Sequence, residues 1–140
     1  MILLDANVIS ELMRQTTSPS VLNWVDALDP QTVAITAMND AENLHGLSRL
    51  HDGGRKQGLR SCWEELLAVF FTVRVLQFSI ETAHWYVELL AHRERLGRTM
   101  HCADAVIAAI ALAHGPALAT LDVSVFTGIG LVLINPWCLS

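Results

Sequence analysis

This sequence predicts an α/β fold: one mostly parallel, five-stranded sheet with helices on both faces. Three observations carry that prediction. Five short apolar runs recur along the chain, and helical patterns separate most of them. The runs are apolar throughout, not alternating, which is the habit of strands buried on both faces of a parallel sheet. The 140 residues, 52% hydrophobic and 16% charged, suit one domain spanning residues 1–140. Parallel neighbours need crossover connections, expected to be right-handed.

The elements follow in order. Met1-Ile-Leu-Leu-Asp5 reads as a buried strand ending in a carboxylate. Asn7 is placed to cap a helix beginning at Val8. Arg14 to Thr17 is a polar turn. Ser18 followed by Pro19 signals a helix start. That helix runs to about Leu28, with Val21, Leu22, Trp24, Val25 and Leu28 on its apolar face, and Asp29-Pro30 ends it. Thr32 to Thr36 is the second strand, and Thr36 caps a helix from Ala37 to about Leu50. His51 to Gly58 is polar, glycine-rich and locally basic, and predicts a mobile connection. A helix follows from about Leu59 to Phe70. The stretch Phe71 to Phe78 contains the third strand, centred on Val73–Leu76. Ser79 caps a long helix to about Leu96, stopped by Gly97. An alanine-rich, nearly smooth helix runs from about Ala103 to His114 and ends at Gly115-Pro116. Ala117 to Thr120 is the fourth strand and Leu131 to Ile134 the fifth.

Composition excludes several functions. A net charge of -5 argues against coating nucleic acid by bulk attraction. The longest apolar stretches, Leu66 to Phe78 and Ala105 to Ala113, fall short of the roughly 20 residues of a membrane span. No signal peptide is visible, because Asp5 interrupts the first apolar run, so a cytoplasmic location is expected. Cys62, Cys102 and Cys138 form no CxxC pair, and read as reduced, buried thiols. There is no GxxxxGK[ST] loop and no GxSxG elbow.

The candidate chemistry lies in four acids. In open α/β sheets, ligands gather beyond the carboxyl ends of the strands. Asp5 ends the first strand and Asp122 follows the fourth. Glu42 lies on the helix leaving the second strand, and Asp104 in the first turn of the smooth helix. Each adjoins apolar sequence, where an unpaired charge costs several kcal/mol. Two carboxylates about 5 Å apart repel by roughly 3 kcal/mol at an effective dielectric near 20. The chain offers one lysine, Lys56, so a divalent cation is the better partner. Oxygen-only ligands select Mg²⁺ or Mn²⁺ over zinc. Each acid also has an ordinary structural use: Asp5 and Asp104 as helix-terminal groups, Glu42 as a solvated helix residue, Asp122 as a turn residue. Asp40, about 200° around the helix from Glu42, is assigned to the surface. His45 and His101, three residues from Glu42 and Asp104, read as surface or capping groups. The four tryptophans read as core or interface anchors. The basic stretches Arg49-Arg55-Lys56-Arg60 and Arg93-Arg95-Arg98 read as solvated faces able to hold phosphate.

Taken together, the sequence resembles the PIN-domain family, specifically VapC- or FitB-type toxins of bacterial type II toxin–antitoxin pairs. The carriers are Met1-Ile-Leu-Leu-Asp-Ala-Asn-Val-Ile-Ser-Glu11, the Thr36…Ala41-Glu42…Gly46 helix, Ala103-Asp-Ala-Val-Ile-Ala-Ala109, Leu118-Ala-Thr-Leu-Asp122 and Leu133-Ile-Asn-Pro-Trp137. In this order they cover nearly the whole chain. The resemblance implies a PIN-like α/β/α sandwich and a Mg²⁺- or Mn²⁺-dependent ribonuclease that leaves a 5′-phosphate. It implies an acidic quartet at Asp5, Glu42, Asp104 and Asp122, serving as both catalytic and metal-binding residues. It further implies a homodimer and a VapB- or FitA-like antitoxin whose tail occupies the active-site groove and through which operator DNA is reached. Three positions depart from the family pattern: Ala6 where threonine is usual, Leu121 where arginine is frequent, and Val125 in place of an acid. Ala6 and Leu121 motivate a second reading, a catalytically weak binding module acting mainly in an antitoxin–operator DNA complex. A third reading is a small-molecule phosphohydrolase.

Overall fold

A computed structural model describes residues 1–70, 74–115 and 117–139. The strands are β1 (Ile2–Leu4), β2 (Val33–Thr36), β3 (Val75–Leu76), β4 (Ala117–Ala119) and β5 (Leu133–Ile134). They form one sheet in the order β3-β2-β1-β4-β5, and all four pairings are parallel. The helices are α1 (Ala6–Leu12), α2 (Pro19–Asp26), α3 (Ala37–Ser48), α4 (Gly54–Phe70), α5 (Ile80–Arg95), α6 (Cys102–His114) and α7 (Val123–Phe126). This is the expected α/β/α sandwich.

The pleat explains why the strands are apolar throughout. Successive side chains point to opposite faces. Leu4, Val33 and Ile35 enter one core with Val8 and Ile9 of α1, Val21 and Val25 of α2, Leu47 of α3 and Trp63 of α4. Leu3, Ala34 and Leu118 enter the other with Leu89 of α5, Ala105, Ala108 and Ala111 of α6, and Phe126 of α7. Ala105, Ala108, Ala109 and Ala111 of α6 are fully buried, which lets that helix lie close to the sheet and to α5. Trp63, fully buried, donates its indole N–H to Asp40 Oδ1 at 2.8 Å and so ties α4 to α3. Asp40 is thus a helix–helix tether and not the surface residue expected. Of the other tryptophans, Trp24 and Trp137 pack partly buried against the first core, whereas Trp85 is exposed.

Several local expectations are corrected. Asp5, not Asn7, caps α1: its extended backbone precedes Ala6, whose N–H donates to Asp5 Oδ1 at 2.8 Å. Ser18 stands at the α2 N-cap without a side-chain bond, and the helix ends at Asp26. A 3-10 turn, Pro30–Thr32, then leads into β2. The glycine-rich segment is no simple connection, since α4 begins at Gly54 and takes in Arg55, Lys56 and Gly58. Lys56 pairs with Asp52 one turn earlier, at 3.0 Å. Val73, placed in the third strand, lies outside the described residues, as does Pro116. Gly115 closes α6 at φ 73°, in the left-handed region that suits glycine. The short α7 has no counterpart among the expected elements. Cys62 is half-buried, and Cys102 and Cys138 are exposed, so the thiols are free but not core. Among the described residues no helix is long and apolar enough to cross a membrane.

Candidate active site

The strand order reverses beside β1. The chain lays β2 and β3 on one side of it, then returns to lay β4 and β5 on the other. The carboxyl ends of β1 and β4 flank that reversal, the place where such sheets bind ligands. Asp5 stands at the end of β1 and is bonded to β4 through its own N–H and the Ala119 carbonyl, 2.9 Å. Thr120 and Asp122 follow β4 directly.

One hydroxyl organises this rim of the sheet. Thr120, fully buried, donates to Asp5 Oδ2 at 2.7 Å. It accepts from the Asp122 backbone N–H at 3.0 Å and from Asn7 Nδ2 at 3.3 Å. Asn7 also donates to Asp122 Oδ2 at 3.2 Å and accepts from the Leu121 N–H at 3.2 Å. On the β2 side, Thr36 and Asn39 form a reciprocal cap at the start of α3. Asn39 Nδ2 then reaches Asp5 Oδ1 at 3.4 Å. Asp5 is therefore held by the residue that follows β4 and by the first turn of α3, and is only 6% exposed. Ala6 offers no hydroxyl, yet Asp5 keeps a hydroxyl donor in Thr120.

The electrostatics bring the four acids into one neighbourhood. Burial raises the Asp5 pKa above the ordinary carboxylate value; bonds from Thr120 and Ala6 pull it down, and the charges of Asp104 and Asp122 push it up. Burial, then Asp5 and Asp104, raise the half-buried Glu42 to about 6. Asp104 is raised by burial and by Asp122, against an opposing pull from His101. His101 is exposed, at the N-cap of α6 without a capping bond, so it touches the site electrically only. His45 is exposed and lies apart from these interactions. Glu42 Oε1 is buried without a hydrogen-bond partner. Raised acids and an orphaned carboxylate oxygen share burial as their first cause, and the neighbouring carboxylates add to it.

This donor set fits a hard divalent cation. Its oxygens are carboxylate, hydroxyl and amide, the ligands of Mg²⁺ and Mn²⁺. Among the described residues, however, no three His, Cys, Asp or Glu side chains stand close enough to ligate one ion together. Mg²⁺ commonly keeps several waters and takes one or two carboxylates directly. Such a set suits an ion held partly through water.

Asn7, Asn39 and Thr120 were not foreseen as site residues. The signal for Thr120 was its place at the end of an apolar strand, two residues before Asp122. Asn7 was read as a cap because capping residues and site residues share the same short polar side chains. Arg93, read as part of a solvated face, is buried and donates through Nη2 to the carbonyls of Val125, 2.7 Å, and Thr127, 3.2 Å. It pins α7, the segment just after Asp122.

Residues 2–127 match the family model of the PIN domain. The chain belongs to the PIN-domain family. Its relatives place it among the VapC/FitB-type toxins. It is 42% identical to plasmid stability protein StbB of Pseudomonas syringae pv. tomato over 137 residues, 98% of this chain and 99% of that one. VapC ribonuclease Y4jK of Sinorhizobium fredii is 38% identical over 98% of both chains. Toxin FitB of Neisseria gonorrhoeae is 34% identical over 98% of this chain and 99% of that one. Among solved structures, FitAB bound to the IR36 DNA fragment superposes with a TM-score of 0.93 at 34% identity, covering 100% of this chain and 98% of that chain. The fold of the PIN domain thus coincides with the one assembled above from strand pattern and register.

Proposed function

We propose that this chain is the toxin of a toxin–antitoxin pair and acts as a Mg²⁺- or Mn²⁺-dependent endoribonuclease. The observation that carries the reading is the orphaned Glu42 Oε1 beside two other acids, Asp5 and Asp104, whose pKa values burial also raises. The relative Y4jK is a VapC ribonuclease, which supports the substrate class.

Of Asp5, Asp104 and Asp122, one or two would hold the ion directly and the rest, with Glu42, through water. Such an ion lowers the pKa of a bound water and neutralises charge on the scissile phosphate. Thr120 and Asn39 fix the Asp5 carboxylate, and Asn7 fixes Asp122, so the acids need little reorganisation when substrate arrives. In the metal-free protein burial and the charges of Asp5 and Asp104 raise Glu42 to about 6; beside a bound ion it would be ionised and would orient a water toward the scissile phosphate. FitAB bound to DNA supports an antitoxin partner through which operator DNA is reached. A homodimer completes the proposed assembly.

The test is cleavage of RNA by purified protein with and without Mg²⁺ or Mn²⁺. Asp5→Asn is expected to abolish cleavage while leaving the circular dichroism spectrum unchanged. An unchanged rate in that variant would remove the proposal. A second reading, a binding module with little turnover, draws on the absence of a three-acid ligand cluster among the described residues. It predicts a stable antitoxin complex from a protein that cleaves no RNA in either metal.

A further inference from the structure

Building on the metal-dependent nuclease reading, we infer that Arg93 is a positioning residue: it joins the segments that carry Asp104 and Asp122, and so sets the separation of these two acids about a bound divalent cation.

The two acids arrive from different parts of the chain. Asp104 lies in the first turn of α6, and Asp122 stands at the N-cap of α7 without making a capping bond. Upstream, Asp122 is held well: its N–H donates to Thr120 Oγ1 at 3.0 Å, and its Oδ2 accepts from Asn7 at 3.2 Å. Downstream it depends on α7, which spans only Val123–Phe126. A helix of one turn is not stable by itself. Phe126, fully buried in the second core, fixes the depth of that turn. A single apolar anchor is non-directional, so it leaves rotation about the turn's axis open.

Arg93 supplies the missing constraint. Its Nη2 donates to the carbonyls of Val125, 2.7 Å, and Thr127, 3.2 Å, at the end of α7 where carbonyls lack helical partners. The Arg93 carbonyl itself accepts from the N–H groups of Leu96 at 3.1 Å and Arg98 at 3.0 Å. Gly97, at φ 68°, donates to the Glu94 carbonyl at 3.0 Å. Together these bonds close α5 in a Schellman turn, which sends the chain back toward the start of α6. One residue thus governs both how α5 leaves toward Asp104 and how α7 stands behind Asp122.

Stability alone does not call for arginine here. Arg93 is 5% exposed and forms no ion pair among the described residues. Its Nε is buried without a partner. Burying an unpaired guanidinium is unfavourable, and an apolar side chain of similar length fills such a space at lower cost. What the guanidinium adds is direction, since two hydrogen bonds from one nitrogen fix an angle. The charge of Asp122 acts on Asp104, so the two carboxylates share one field, and a rotation of α7 alters their spacing.

The test reads Mn²⁺ affinity of the metal-free protein by calorimetry, Tm in EDTA, and RNA cleavage at saturating Mn²⁺. Arg93→Met should bind Mn²⁺ about tenfold more weakly. Its kcat should fall more than about tenfold while KM for RNA stays within about twofold. Arg93→Lys keeps a cationic donor without the planar fork and should weaken Mn²⁺ binding only about threefold. In an Asp122→Asn background, Arg93→Met should weaken Mn²⁺ binding by no more than about twofold, because the group it acts through is gone. Leu89→Val, a core change on the same helix, should lower Tm and leave Mn²⁺ affinity unchanged. Wild-type Mn²⁺ affinity in Arg93→Met would overturn the inference; should that variant not fold, wild-type affinity in Arg93→Lys overturns it instead. A full loss in the Asp122→Asn background would also overturn it, as would an affinity that falls with Tm in Leu89→Val. A wild-type protein that neither binds Mn²⁺ nor cleaves RNA sinks the nuclease reading itself. One that does both, with Arg93 variants indistinguishable from it, sinks this inference alone.

Discussion

Glu42→Gln should make the metal-free protein more stable at pH 8 and leave it nearly unchanged at pH 4.5. The glutamate ionises near 6 in the folded state against 4.5 ordinarily, because burial and the charges of Asp5 and Asp104 oppose it. For an acid raised in this way, the folded state binds more protons through that interval. Its stabilising contribution is complete below pH about 4.5 and is lost as pH rises through about 6. A shift of that size corresponds to about 2 kcal/mol undiscounted. Solvent screening of a half-buried group brings it to roughly 1 kcal/mol. In a domain of this length that is about 4 °C in Tm. Urea denaturation in EDTA at pH 4.5, 6 and 8 measures it directly. Saturating Mg²⁺ should reverse the order, since ligand at ten times its Kd adds about 1.4 kcal/mol to the wild type. Equal wild-type and variant midpoints at pH 8 in EDTA would refute the reasoning.

Two further substitutions probe the scaffold around the acids. Thr120→Val keeps the shape but deletes a buried hydroxyl that serves three partners. It should cost about 2 kcal/mol in urea denaturation and slow RNA cleavage more than tenfold; a fully active variant would show that Asp5 needs no such donor. Arg93→Met leaves the Val125 and Thr127 carbonyls without their donor. Amide hydrogen exchange should accelerate over residues 122–127 while α6 stays protected; uniform acceleration would assign Arg93 to global stability alone.

The fold was legible because its strands are buried on both faces. Leu3 and Leu4, or Ala34 and Ile35, must point to opposite sides of the sheet, so both must be apolar, and that run shows without any periodicity. Helix starts at Thr36 and Ser79 were equally plain, since a short polar residue three positions before its capping partner leaves a local mark. What escaped notice depends on partners distant in sequence. Asp5 and Asn7 are both good capping residues, and only contact with Thr120 and Asp122 decides which caps and which bridges. Arg93 sits in a run of cations whose neighbours are exposed, and nothing local marks it as buried. The start of α4 was missed because glycine is read as a breaker, whereas Gly54 and Gly58 sit in a helix whose next turn carries Trp63, anchored in the core.

Placement at strand ends singles out Asp5 and Asp122, and placement on helices beside that rim singles out Glu42 and Asp104; in the structure the charge of Asp104 acts on Asp5 and Glu42, and that of Asp122 on Asp5 and Asp104. A tight gathering does not follow, since no three of them stand at ligand spacing. A cation that keeps part of its water shell reconciles the two.

Titration of the wild-type chain and of Asp5→Asn with Mn²⁺, followed by calorimetry at pH 7.5 and at pH 5, tests this most directly. The wild type should bind the ion at pH 7.5 and lose affinity at pH 5, as protons compete for the raised acids, and the variant should bind at least tenfold more weakly. Heat signals absent up to millimolar Mn²⁺, or identical for both proteins, would mean that these carboxylates hold no ion, and the nuclease reading would fall with them.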